Sequence, residues 1–242
     1  MFSVTLDAST ASTLLIAFLA VLHASFQLGT SVLTLLSGHS LLHRTAVRRV
    51  LVLNTSYIVG VFAMTALLLA AATAAFVLWL PLNAISPVWT GLTVLSVAVG
   101  LVVATSYYRA GAGTRLWIPR SFAEYLTSRA ERTKNPIEAA ALGITSVVAE
   151  LPFTGVILAM SSLAMAAQLP IDTYSAIIGI YSFVATLPLI VITLLIAGGH
   201  RLSAVQRWRE ASKQFLQYAA GAGLFAAALY VLMYFVLMKD QP

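Results

Sequence analysis

Long apolar runs separated by short polar stretches set the pattern of this chain. Six runs stand out, at roughly 10–37, 49–80, 88–108, 136–167, 173–199 and 214–238. Each reaches the roughly 20 apolar residues that a helix needs to cross a bilayer. Several flanks carry helix-start chemistry. Ser86-Pro87 places a cap residue before a proline, and Asn135-Pro136-Ile137-Glu138 adds the acidic partner of a capping box. Asp172 or Thr173 can cap the fifth run after Pro170. The pattern predicts an all-α polytopic membrane protein with six transmembrane helices.

The longest connection, 109–135, divides the six helices into two sets of three. Residues 1–108 form the first set, 109–135 a cytoplasmic linker and 136–242 the second set. Because each set holds an odd number of helices, the second would be inverted relative to the first. Within the linker, Ser121-Phe122-Ala123-Glu124 is a capping-box pattern, and Phe122, Tyr125, Leu126 and Ala130 could line one side of a short amphipathic helix. That helix would lie at the membrane surface or gate a cavity; the plainer alternative is a solvated turn.

Composition sharpens the class. Of 242 residues, 60% are hydrophobic and 9% charged, and the mean hydropathy is +0.92. Soluble domains carry about 25% charged residues. Despite a formal charge of +6, the basic residues form short clusters between apolar runs. A soluble enzyme, a disordered regulator and a nucleic-acid binder are thereby excluded.

Charge also orients the chain. Arg44, Arg48 and Arg49 follow helix 1; Arg109, Arg115, Arg120, Arg129, Arg132 and Lys134 follow helix 3; Arg201, Arg207, Arg209 and Lys213 follow helix 5. These are 13 of the 14 basic residues, and only Lys239 falls on the other side. The positive-inside rule puts those loops in the cytoplasm and both termini outside, in a cell (inner or plasma) membrane. No basic stretch precedes the first apolar run, where Asp7 stands instead, so no cleaved signal peptide is expected.

Ionisable residues inside spans are costly and mark function by default. Glu150 sits about halfway along helix 4, directly before Leu151-Pro152-Phe153-Thr154-Gly155. His23 sits about halfway along helix 1, with Gln27 one turn later on the same face. Pro152 removes a backbone donor and Gly155 permits unusual backbone angles, so helix 4 is expected to kink or break there. A carboxylate beside such a break could bind a cation or cycle a proton; alternatively it is simply neutral, or bonds a neighbouring helix. Pro188 predicts a second irregular helix, and a plain packing kink is the simpler account. His39 and His43 have the spacing of a metal pair, yet they lie beside arginines with no carboxylate near, so no metal is assigned. His200 reads as an interfacial residue. The chain has no cysteine, no span carries a lysine for a retinal Schiff base, and no nucleotide or hydrolase motif occurs. Neither a cofactor nor enzymatic activity is expected.

At Glu150-Leu151-Pro152-Phe153-Thr154-Gly155 the chain resembles the CcdA/DsbD transmembrane thiol–disulfide family, within the broader LysE-type transporter superfamily. Members often read Glu-Leu-Pro-Cys-Thr-Gly there. Leu22-His23-Ala24-Ser25-Phe26-Gln27-Leu28-Gly29 is similar to the family's first helix, which ends that stretch in Pro-Cys. Pro136-Ile137 with Leu142-Gly143, Tyr181-Ser182-Phe183 through Leu187-Pro188-Leu189, Trp208-Arg209 and Gly221 extend the likeness. The resemblance implies two inverted three-helix repeats, with helices 1 and 4 broken around a central site that faces the two sides alternately. Both redox cysteines are missing, with Gly29 and Phe153 in their places, and thiol exchange needs a thiolate.

The function expected is movement of a small solute or ion by alternating access, without redox chemistry. Glu150 would be the cation or proton site, His23 and Gln27 its partners, and Gly29, Pro152, Thr154 and Gly155 would border the path. The alternative is a non-transporting scaffold or accessory subunit of a membrane complex, for which the bulk of Phe153 speaks. Residual redox function through a partner's cysteines is a third reading with little to motivate it.

Overall fold

A computed structural model describes residues 7–26, 28–40, 46–106, 120–198 and 202–237. These residues form eight α-helices: α1 (Ala8–Ala24), α2 (Leu28–Ser40), α3 (Ala46–Trp79), α4 (Ile85–Ser106), α5 (Arg120–Arg132), α6 (Pro136–Gln168), α7 (Tyr174–Ala197) and α8 (Leu202–Val231). A π turn, Leu232–Leu237, continues α8, and no strand occurs among the described residues. Five helices are long and apolar enough to cross a membrane, and six spans result if α1 and α2, bent by 40° at their break, count as one.

Polarity runs from apolar outside to mixed inside, the reverse of a water-soluble protein. Leu14, Phe18 and Val21 of α1, Val94 and Leu101 of α4, and Ile180, Val191 and Leu194 of α7 are all exposed. The interior meanwhile holds Ser12, Asn54, Thr65, Ser146, Glu150, Ser161, Ser162 and Ser182. An apolar solvent around the bundle explains both facts, because each buried polar group then needs a partner within the protein. Most of the serines and threonines find one in the preceding helical turn. Thr73 bonds Leu69 O at 2.7 Å, Thr93 bonds Trp89 O at 2.9 Å, and Ser161 bonds Ile157 O at 2.9 Å.

α6 is the centre of the bundle. Of its most apolar stretch 56% is buried, against 22% to 39% in the other four long spans. Its closest neighbour is α3, and small residues allow the approach. A Cβ on Gly60 would collide with the Ala140 carbonyl, and one on Gly143 with the Tyr57 carbonyl. α4 and α8 cross the same way through Gly100 and Gly221, where a Gly221 Cβ would stand 2.9 Å from Ala104 Cβ. Close helix contact through small residues is how apolar helices associate when burial from water no longer drives them together. Ser96 Oγ to Leu224 O (3.0 Å) and Gln217 Nε2 to Ala104 O (2.8 Å) fasten that second crossing.

Local chemistry places most boundaries near their expected positions. Asn135 caps α6 by accepting from Glu138 N at 2.8 Å, while Glu138 Oε2 reaches back to Lys134 N at 3.1 Å. Thr173 caps α7 by position only, its hydroxyl turned back to Pro170 O at 2.7 Å. Ser86 is not a cap: a 3-10 turn, Leu82–Ala84, leads into α4, and Ser86 lies inside that helix. α8 begins about three turns before the expected 214, carrying Arg207, Arg209 and Lys213 as a polar extension. The linker does contain a helix. α5 buries Leu126 and Ala130 and packs against α2 and α6, while Tyr125 is 47% exposed.

The break expected at Pro152 does not occur in α6, and Pro188 likewise leaves α7 uninterrupted. Proline deletes a single backbone bond, and where no water can satisfy freed groups the remaining helical bonds favour continuity. The first span does break, with no proline to cause it. Ser25 N (3.0 Å) and Ser25 Oγ (2.6 Å) both bond Leu22 O, and Phe26 N bonds His23 O at 3.1 Å. These three-residue bonds tighten and end α1, and the chain restarts as α2 at Leu28.

Candidate functional site

The break between α1 and α2 opens onto a cavity enclosed by α1, α2, α3, α6 and α7. Its polar wall is His23 from α1, Thr30 from α2, Thr65 from α3, and Ser146 and Glu150 from α6. Gly29, Ala24, Phe26, Val61, Val147, Ala185, Pro188 and Leu189 complete the lining. About 30 Å³ is open to the centres of water-sized molecules, enough for one or two waters or a small ion.

Helical spacing builds these walls. Ser146 and Glu150 stand one turn apart on α6, Val61 and Thr65 one turn apart on α3, and Ala185 and Leu189 one turn apart on α7. His23 and Glu150 are each 8% exposed, buried within the protein yet bordering the open space.

Hydrogen bonds fix the orientation of the wall. His23 Nδ1 lies 3.1 Å from the Tyr181 hydroxyl, and the two rings meet edge to face at 5.7 Å. The Tyr57 hydroxyl is shared between Gly29 O (3.1 Å) and Ser146 Oγ (2.8 Å), tying the start of α2 to α6 through α3. Ser146 Oγ donates its own proton to Gly143 O at 2.8 Å. Its remaining capacity is therefore that of an acceptor. Thr154 Oγ1 donates to Glu150 O at 3.1 Å. Thr65 differs from these: its Oγ1 is buried and has no hydrogen-bond partner among the described residues.

The structure brings together three of the residues that sequence placed on the path, Glu150, His23 and Gly29, and adds Pro188 to the same wall. Pro152, Thr154 and Gly155 are not on the cavity wall. Pro152 is exposed on the far face of α6, and a Cβ on Gly155 would meet nothing within 4 Å. Gln27, His43 and His200, and the side chain of His39, lie outside the described residues. Among the described residues no three His, Cys, Asp or Glu side chains gather as a metal site.

Sequence reasoning missed Tyr57, Thr65 and Ser146, and gave Tyr181 no role in the site. The signal for them was polar periodicity inside apolar runs: Tyr57 and Thr65 two turns apart, Ser146 one turn before Glu150. Ordinary back-bonding serines and threonines elsewhere in the spans bury that signal.

No protein-family model, no characterised protein and no solved structure matches the chain.

Proposed function

We propose that the chain is a multi-pass transporter that moves a small solute or ion by alternating access, without thiol redox chemistry. One observation carries the reading: a polar cavity with a buried carboxylate sits at a helix break inside otherwise apolar spans. A bundle that needed only to pack would gain by filling that space with apolar side chains, since buried ionisable groups in spans are expensive. The first-span break supports a moving element, because discontinuous helices at mid-membrane expose backbone groups to substrates.

Kinship with the CcdA/DsbD-like fold belongs to the same proposal. Three helix pairs that an inverted repeat would exchange, α1 with α6, α3 with α7 and α4 with α8, each pack against one another. That is the arrangement expected around a pseudo-two-fold axis. The proposed orientation has both termini outside, in the inner or plasma membrane. Trp208 and Tyr218, exposed on α8 beside Arg207, Arg209 and Lys213, suit the aromatic and basic belt of a cytoplasmic interface. The scaffold alternative rested on Phe153, which is buried but is not among the residues lining the cavity.

Absence of native thiols makes the test direct. A cysteine at Gly29 fits, because its Cβ would meet Leu189 at an ordinary 3.6 Å. A transporter should show Gly29→Cys and Ala24→Cys reacting with impermeant maleimide from both sides of the membrane, in different conformations. Reaction from neither side would leave the scaffold. Cysteines at Glu131 and Asp172, each exposed, check orientation: labelling of Glu131→Cys in intact cells would reverse it.

A further inference from the structure

On the α6 side of the cavity wall the polar groups are acceptors, while His23 and Thr30 opposite can also donate. Ser146 has placed its proton on Gly143 O, and Tyr57 shares its proton between Gly29 O and Ser146. Glu150, when ionised, only accepts. No lysine or arginine among the described residues lines the space. The Ser146 and Glu150 side of the wall suits a positively charged occupant.

Charge balance narrows the class. Among the described residues Glu150 is the only acidic one that lines the cavity. One negative charge buried in low dielectric is compensated by one positive charge; a divalent ion would leave a net charge uncompensated. The absence of a cluster of three His, Cys, Asp or Glu among the described residues argues the same way. Hydroxyl and carboxylate oxygens are hard ligands, suited to alkali cations rather than to soft transition metals.

Thr65 supplies the independent observation. Thr193, away from the cavity, also has no hydrogen-bond partner among the described residues, whereas the other buried threonines Thr73, Thr93, Thr154 and Thr186 turn their hydroxyls back onto the helix. Thr65 does not, although it is 0% exposed and lines the cavity. A buried hydroxyl left without a partner lowers stability, so a ligand that satisfies it is favoured. Its oxygen is also closed off from water. A bare cation smaller than water, drawn toward the carboxylate, can reach what a water cannot.

We propose that this cavity binds a single dehydrated monovalent alkali cation of about sodium's size, held by Glu150, Ser146 and Thr65. Tyr57 is a positioning residue that aims Ser146. The proposal rests on reading the cavity as a substrate-facing site, and it names the ion that site would carry or use for coupling.

The test uses the full chain, purified in detergent, with radioactive sodium as the probe and choline holding ionic strength constant. Saturable binding of one sodium per chain is expected, displaced by lithium and by acid but not by calcium at equal concentration. Glu150→Gln should abolish it. Thr65→Val should weaken it about tenfold, the equivalent of 1.4 kcal/mol, while Thr65→Ser retains it. Gel filtration identifies any variant that fails to fold, and the Thr65 pair then decides. The proposal is overturned by absence of saturable sodium binding in the parent chain, by unchanged binding in folded Glu150→Gln, or by stronger displacement with calcium. Alternating maleimide access without sodium binding would sink the ion and leave the transporter. Sodium binding without alternating access would do the opposite.

Discussion

The first and fourth spans were expected to be alike, each broken near mid-membrane around a shared site. They are not. The first carries no proline and breaks into α1 and α2 with a 40° bend; the fourth carries Pro152 and continues as one helix of 33 residues. The difference lies in what surrounds each. α6 is enclosed by α1, α3 and α4 and locked to α3 by Gly60 and Gly143, so its axis is held from several directions. α1 presents Leu14, Phe18 and Val21 outward, and at its end the Ser25 hydroxyl competes for the Leu22 carbonyl that would otherwise continue the helix. A helix breaks where a local alternative satisfies its backbone and packing does not oppose it. Proline alone is a weak predictor when neighbours hold the helix.

The strongest challenge to this comparison is at the α3–α6 crossing. Gly143→Val would drive a side chain into the Tyr57 carbonyl and force the helices apart. A loss of about 1–3 kcal/mol or more is expected, read as a lowered melting temperature in detergent. A variant as stable as the parent would show that the crossing does not hold α6.

Removing the alternative partner at the first-span break is the next test. Ser25→Ala should cost about 1 kcal/mol, one hydrogen bond's worth. Spin labels at Phe18→Cys and Leu35→Cys should then report a broader range of α1–α2 distances. An unchanged distance distribution and melt would assign the break to another cause.

Pro152→Ala sharpens the other side. It restores a backbone donor to a helix that is already continuous, so stability should be unchanged or raised by up to about 1 kcal/mol, far from the roughly 3 kcal/mol of an unsupported helix. A clear loss would mean that the proline contributes an irregularity the protein needs.

Glu150 allows a finer distinction. Glu150→Gln keeps shape and hydrogen bonding, so its melt should match the parent, whereas Glu150→Ala should lose about 1 kcal/mol, typical of one membrane hydrogen bond. Equal losses in both variants would place the carboxylate's charge, rather than its hydrogen bonds, in the stability of the fold.

The smallest effect is expected at the exposed start of α1. Asp7 caps this helix through Ser9 Oγ (2.6 Å) and Ser9 N (3.2 Å), and those bonds hold its carboxyl below the usual carboxylate range. A lowered value in the folded state means the cap is fully effective above pH about 4 and is lost as pH falls through the folded value. Amide exchange at Ser9 and Ala11 should rise below that pH in the parent and be insensitive to it in Asp7→Asn.

How much was legible follows from which forces act locally. The apolar runs, the Asn135 cap, the helix within the linker and the standing of Glu150 and His23 as buried ionisable groups were all readable. Each depends on hydrophobic content, capping chemistry or desolvation cost, which belong to a short stretch of chain. Three outcomes depended instead on long-range contacts. Pro152 does not break α6 because α3 and α1 hold it. Tyr57 joins the site because α3 carries its hydroxyl to Gly29 and Ser146, residues 28 and 89 positions away. Among the described residues Thr65 is the cavity hydroxyl left without a bond, a fact that exists only once five helix segments have gathered around it. The sequence by itself determined that this chain is built of membrane-length helices and which of them carry ionisable groups. Tertiary packing decided which helix breaks and which side chains face the space that break leaves, because those depend on the directions in which neighbouring helices press.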